Sequence, residues 1–279
     1  MPPTADSPPP RPPQSPAFPL PGLVILTAVG VTATFLLATP GGLLSKADLV
    51  GYAVCHRIAE RSFVIAGRPL PLCARCSGTF IGALVGLLGQ ILVLRRHRSA
   101  DFPPIPIILI LVGFMLAWAA DGLNSYMTLV GGPHVYEPQN WLRLVTGALQ
   151  GTTLSILVYP VLNFTLWRRP SPEPAVRNLR DLGLLLLLQA GMVGLVLTQW
   201  DILLYPLALL GALGVLTLLT SVNGMLVLIV IRRENVANTW RDSLIPLLAG
   251  FTLSLIQIGG IAWVRYALTG TLSGVPPFQ

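Results

Sequence analysis

Charge is scarce in this sequence. Asp, Glu, Lys and Arg make up 10% of 279 residues, whereas a soluble domain carries about 25%. That deficit excludes a chain whose whole surface faces water. The charge that is there is lopsided, 18 basic against 11 acidic residues, yet it does not point to nucleic acid. The sequence has no basic stripe interleaved with aromatics, no Gly-rich phosphate loop and no helix-turn-helix pattern. The start is expected to be a poor secretory signal: Arg11 is the only basic residue ahead of the first apolar run, and no clear A-x-A site follows that run. Residues 1–21 hold ten prolines and almost nothing able to form a core. They are expected to be a disordered, polyproline-like tail.

Apolar sequence is plentiful, at 53% of the chain. A helix needs roughly 20 apolar residues to cross a bilayer, and runs of that kind recur along the chain. The expected fold is all-α, a polytopic transmembrane bundle with the lipid bilayer as its main partner. Seven spans are predicted, at about 23–38, 77–94, 105–123, 141–167, 182–199, 206–231 and 244–268. Arginine clusters at 95–98, 168–169 and 232–233 follow the second, fourth and sixth spans. All three therefore lie on one side, and basic residues favour the cytoplasm. The expectation is an inner-membrane protein with a cytoplasmic N-terminus and with segment 41–76 on the outer face. The chain divides into the tail, a membrane core at 22–167 and a C-terminal extension at 168–279. Gly78, Gly82 and Gly86 give the second span a face that another helix can approach closely, within the chain or in an oligomer.

Cysteine is scarce too. The three in the chain all fall within 51–78, with one of the three histidines. Ser45-Lys46-Ala47-Asp48 reads as a capping box, starting an interfacial helix that runs to about Glu60. On such a helix Glu60 sits four residues from His56 and can orient the imidazole. Phe63-Val64-Ile65 is strand-like, Ala66-Gly67 is a turn, and Pro69 and Pro71 exclude a central strand after it. The segment ends on Cys73-Ala74-Arg75-Cys76 and enters the second span as a small irregular Cys/His cap.

Three readings fit this cap. In the first, Cys55, His56, Cys73 and Cys76 hold a metal. C-x-x-C spacing lets two thiolates grip one ion, mixed S/N ligands make zinc the default and leave iron as a second choice, and His134 or Asp121 completes the shell if adjacent Cys55 and His56 do not both bind. In the second, Cys73 and Cys76 at a helix N-terminus cycle between dithiol and disulfide, with Cys55 attacking or resolving and a quinone taking the electrons. The second cysteine pair usual in such proteins is missing. In the third, the cysteines are merely small buried hydrophobes, against which their clustering argues.

Further along, Asp121 ends the third span, and Asn140, Arg143 and Gly147 share a polar face of the fourth. Intramembrane charges usually face the bundle interior and pair, so Asp121 and Arg143 are expected to pair, unless Arg143 snorkels to headgroups.

The run "CHRIAERSFVIAGRPLPLCARCSGTFIG" resembles the signature of the prokaryotic membrane proteins grouped as domain of unknown function 2085. The pattern falls on Cys55, His56, Arg61, Ser62, Phe63, Gly67, Leu72, Cys73, Ala74, Arg75, Cys76 and Gly78. Asp121-Gly122 and Asn140-Trp141-Leu142-Arg143-Leu144-Val145-Thr146-Gly147 resemble the family downstream. The resemblance spans roughly 45–165. It implies that these residues form one site and implies no activity. Arg61, Arg75, Asp121, His134, Asn140 and Arg143 are then expected beside the metal ligands, positioning them or contacting substrate. Asp121, Arg143 and Glu60 are the candidates for catalysis.

The leading functional expectation is a membrane protein with an outer-face Cys/His zinc site, structural or acting on a lipid-like substrate. A thiol–disulfide oxidoreductase is the alternative. A transporter is a third class, favoured by Asn223 and Gln257 within apolar spans and opposed by the lack of an inverted repeat.

Overall fold

The computed structural model describes residues 20–39 and 41–272. The proline-rich tail, up to residue 19, lies outside the described residues. The described residues are nearly all helical, and seven of their helices are long and apolar enough to cross a membrane. They are α1 (Pro21–Ala38), α3 (Ala74–Leu88, continued by a π turn to Val93), α4 (Ile105–Leu129), α5 (Asn140–Leu166), α6 (Leu179–Thr198), α7 (Leu204–Val230) and α8 (Trp240–Thr269). The protein is a multi-pass membrane bundle. The short helix α2 (Leu43–Val54) precedes α3 and packs against α7 and α8.

Glycine sets the closest contact in the bundle. A Cβ on Gly78 would lie 2.3 Å from the Leu144 carbonyl oxygen, and one on Gly151 would lie 2.4 Å from that of Thr79. The α3 and α5 backbones therefore touch, which only small residues permit. The glycine face that the sequence offers to an oligomer is thus taken within the chain by α5. Gln189 of α6 adds a hydrogen bond to the Gly82 carbonyl at 2.7 Å. Asn223 and Gln257 bond each other across α7 and α8 at 2.7 Å. They cross-link helices, which accounts for both polar groups without a transport path.

The two ends of the bundle differ. At one end β3 (Ser99–Asp101) pairs in parallel with β4 (Ser171–Pro174), and Trp167 bridges Ala237. These links gather all three arginine clusters on that side. Arg98 stacks over the Trp167 ring at 4.2 Å, and Trp240 meets the same ring edge-on at 4.7 Å. At the opposite end lie α2, the cysteine loop, the α4–α5 loop and the α6–α7 turn.

The loop after α2 departs from the expected helix. Gly42 caps α2, whose N-terminus has no side-chain cap. Ser45 and Asp48 lie inside the helix, so they form no capping box. Asp48 instead receives Arg57 at 2.7 Å and also pairs with Arg68. A carboxylate offered two guanidinium groups is better satisfied there than at a helix start. The helix stops at Val54, and Arg57 takes a left-handed conformation. His56 and Glu60 therefore do not share a helical face. A hairpin follows, with β1 (Val64–Ile65) and β2 (Arg68–Pro69) joined by Ala66 and Gly67, both at positive φ, as a two-residue turn requires.

The last spans are fastened to this loop. Arg265 of α8 stacks over the Tyr52 ring at 4.2 Å and donates to the carbonyls of Tyr52 and of Cys55, the latter at 2.7 Å. It satisfies oxygens that the end of α2 leaves open. Arg265→Met is expected to cost about 1–3 kcal/mol, read as earlier thermal unfolding in detergent, because both carbonyls lose a charged donor.

Candidate functional site

Two chain segments bring the thiols together. Cys55 ends α2, while Cys73 is the N-cap of α3 and Cys76 lies in its first turn. The three sulfur atoms all lie within 4.8 Å of one another. Cys55 and Cys73 are buried, Cys76 is half-buried, and none is in a disulfide. The backbone N–H of Cys73 donates to Cys55 Sγ at 3.3 Å. Hydrogen bonds from the Cys73 and Cys76 thiols pull the Cys55 thiol down to about 2, while the bond to Cys55 pushes Cys73 up to about 12.

Among the described residues, no His, Asp or Glu joins the three sulfurs in one group. His56 turns Nδ1 toward the Ile58 N–H, 3.0 Å away. Burial lowers the His56 pKa, and Arg61, Arg75 and Arg143 lower it further against the pull of Cys55. His134 sits in the exposed α4–α5 loop, between Glu137 at 3.0 Å and the Gly132 carbonyl at 3.2 Å. Glu60 contributes its backbone carbonyl, which accepts from Asn140 at 3.1 Å; its side chain is on the exposed surface.

The charged partners adjoin the thiols through Arg75, which lies between Cys73 and Cys76. Arg75 pairs with Asp121, donating from Nε at 3.0 Å and also from Nη2. Asp121 is 1% exposed and accepts further bonds from Tyr136 Oη at 2.9 Å and Thr146 Oγ1 at 3.3 Å. The expected partner Arg143 instead donates to Asn140 Oδ1 at 2.8 Å and to Ser125 Oγ at 3.4 Å. It reaches the Asp121 network through Ser125, which also receives Arg75. The α3–α5 contact explains the exchange. It brings the first turn of α3 against α5, from where the long Arg75 side chain reaches Asp121 of α4.

Residues 55–157 match the family described as "Predicted membrane protein (DUF2085)". An uncharacterized protein of Methanothermobacter thermautotrophicus is 30% identical over 104 residues, 37% of this chain and 83% of the relative. The chain belongs to this family of predicted membrane proteins. An uncharacterized protein of Methanocaldococcus jannaschii is 29% identical over 116 residues, 42% of this chain and 68% of the relative. No solved structure matches. The family segment runs from Cys55 through most of α5 and so contains all three thiols, Arg75, Asp121 and Arg143.

Sequence reasoning missed Ser125, Tyr136 and Arg265. A signal for the first was present. Asp121, Asn124, Ser125 and Thr128 lie at i, i+3, i+4 and i+7, a polar stripe on an otherwise apolar helix. Arg265 stands alone in an apolar span, which by itself marks a residue with an interior partner.

Proposed function

We propose that Cys55, Cys73 and Cys76 hold a zinc ion at the outer face of the inner membrane, with the fourth coordination position open. The convergence of three cysteine sulfurs, from two segments, within 4.8 Å is the observation that carries this reading. Around a tetrahedral zinc with bonds of about 2.3 Å, neighbouring sulfurs stand about 3.8 Å apart. Small side-chain adjustments reach that spacing. Three protein ligands with a fourth position left free is the pattern of catalytic rather than structural zinc. Bound there, the ion acts as a Lewis acid or activates water. The positive-inside rule, applied to the arginine clusters at the opposite end, supports placing the thiols outside.

Metal analysis of the full chain, purified in detergent, tests this. About one zinc per chain is expected in the wild type, and none in Cys73→Ser or Cys55→Ser. Wild-type protein without stoichiometric metal, its three thiols all free to titrate, overturns the reading. A redox centre is the second reading, favoured by the same sulfur proximity. In it two thiols form a disulfide, passing two electrons and two protons to a membrane quinone. Trapping of thiols in cells distinguishes it, since a metal site shows no Cys73–Cys76 disulfide.

A further inference from the structure

Three guanidinium groups from three elements meet at one residue. Arg61, from the loop after α2, donates from Nη2 to the Ser125 carbonyl at 3.0 Å. Arg75, in the first turn of α3, donates from Nη2 to Ser125 Oγ at 2.9 Å. Arg143, in the first turn of α5, donates from Nε to the same oxygen at 3.4 Å. Ser125 is 1% exposed and Arg143 6%. Two carboxylates act on the three cations: buried Asp121, engaged by Arg75, and exposed Glu60 beside Arg61.

Neutralising the metal does not account for the excess. Zinc with three thiolates carries one negative charge and Asp121 another, so one of the three guanidinium charges has no buried counterion; the Glu60 carboxylate beside Arg61 is exposed and screened by solvent. Like charges held close in a poorly solvated place are costly unless an anion joins them. The cluster also has donors to spare. Arg61 Nε and Nη1, Arg75 Nη1 and Arg143 Nη2 make no hydrogen bond among the described residues, and none is sealed inside the protein. The N-termini of α3 and α5 lie at this same end and add the positive ends of two helix dipoles.

We propose that Arg61, Arg75 and Arg143 form a phosphate-binding site beside the thiol centre. Guanidinium groups bind phosphate oxygens in bidentate fashion, which ammonium groups cannot do. The phosphate belongs either to a lipid headgroup entering from the outer leaflet or to a free phosphate. This names the substrate class of the centre proposed above. It rests on that reading for the position of the metal, though not for the binding itself.

The full chain in neutral detergent is titrated calorimetrically with inorganic phosphate and, separately, with short-chain phosphatidic acid. Short-chain phosphatidylcholine serves as the control. The variants are Arg143→Gln and Arg61→Gln; the second leaves the buried Arg75–Asp121 pair in place and keeps the test open if the first fails to fold. Zinc is measured in every sample. Saturable binding is expected, weakened about tenfold or more in each folded variant, with zinc content unchanged and no binding of the control. Binding of phosphate alone assigns a free phosphate, and binding of phosphatidic acid alone assigns a lipid. Absence of binding by both, or wild-type affinity in folded Arg61→Gln, overturns the proposal. Arginine-dependent binding by zinc-free protein would overturn the metal reading and leave this one standing.

Discussion

Asp121→Asn is expected to destabilise the protein by about 3–5 kcal/mol, the usual cost of removing one partner from a buried ion pair. The Arg75 and Asp121 side chains are 15% and 2% exposed. The asparagine keeps the shape and can still bond Tyr136 and Thr146, so the lost charge is the main change. Arg75 is then left positive near two other guanidinium groups, with no carboxylate in reach. The measurement is unfolding of the purified protein in nanodiscs. The double variant Arg75→Met/Asp121→Leu separates the cost of an orphaned charge from the worth of the pair. It is expected to lie closer to wild type than either single variant. Equal stability of Asp121→Asn and wild type would show that the pair does not hold α4 to α3. Because Arg75 lies inside the C-x-x-C, its release is also expected to speed alkylation of the cysteines.

The second large effect is expected at the α3–α5 contact. A Cβ on Gly147 would lie 2.2 Å from the Arg75 carbonyl oxygen. Backbone cannot yield as a side-chain tip can, so even Gly147→Ala must push the helices apart, at about 1–3 kcal/mol. Gly147→Leu is expected to cost more and to prevent assembly of the bundle. The displacement falls on the turn that carries Arg75 and opposite the one that carries Arg143. Gly147→Ala is therefore expected to lower the zinc content that the proposed metal centre predicts, as well as stability. Gly183 supplies the control, since a Cβ there meets nothing within 4 Å. Gly183→Ala should gain up to about 1 kcal/mol from helix propensity. Thermal unfolding and metal content of both variants, measured side by side, test the contrast. Equal tolerance at the two positions would remove the close contact as the determinant.

Parts of the site were legible in the sequence because they depend on near neighbours. Cys73-Ala74-Arg75-Cys76 stands at a helix start because two prolines precede it and an apolar run follows. The Ala66-Gly67 turn follows from strand-like residues ahead of it and a glycine that accepts positive φ. The glycine stripe announced a close helix contact, although not which helix would fill it. The capping box was misread because Asp48 has a stronger use. Its partners Arg57 and Arg68 lie 9 and 20 residues on, and no local pattern weighs a turn capped by serine against two guanidinium groups.

The sequence by itself determined that the chain spans a membrane, roughly where its seven long helices lie, and that its arginine clusters share one side. These follow from composition and helical period, quantities summed over a window of twenty residues. Only the tertiary structure decided that Asp121 pairs with Arg75 rather than Arg143, that three arginines meet at Ser125, and that three sulfurs gather without His56. Arg75 and Arg143 are equally plausible partners in one dimension. The choice between them is made 46 residues from Asp121, by the depth to which α3 sinks against α5, and that depth depends on glycines of both helices at once.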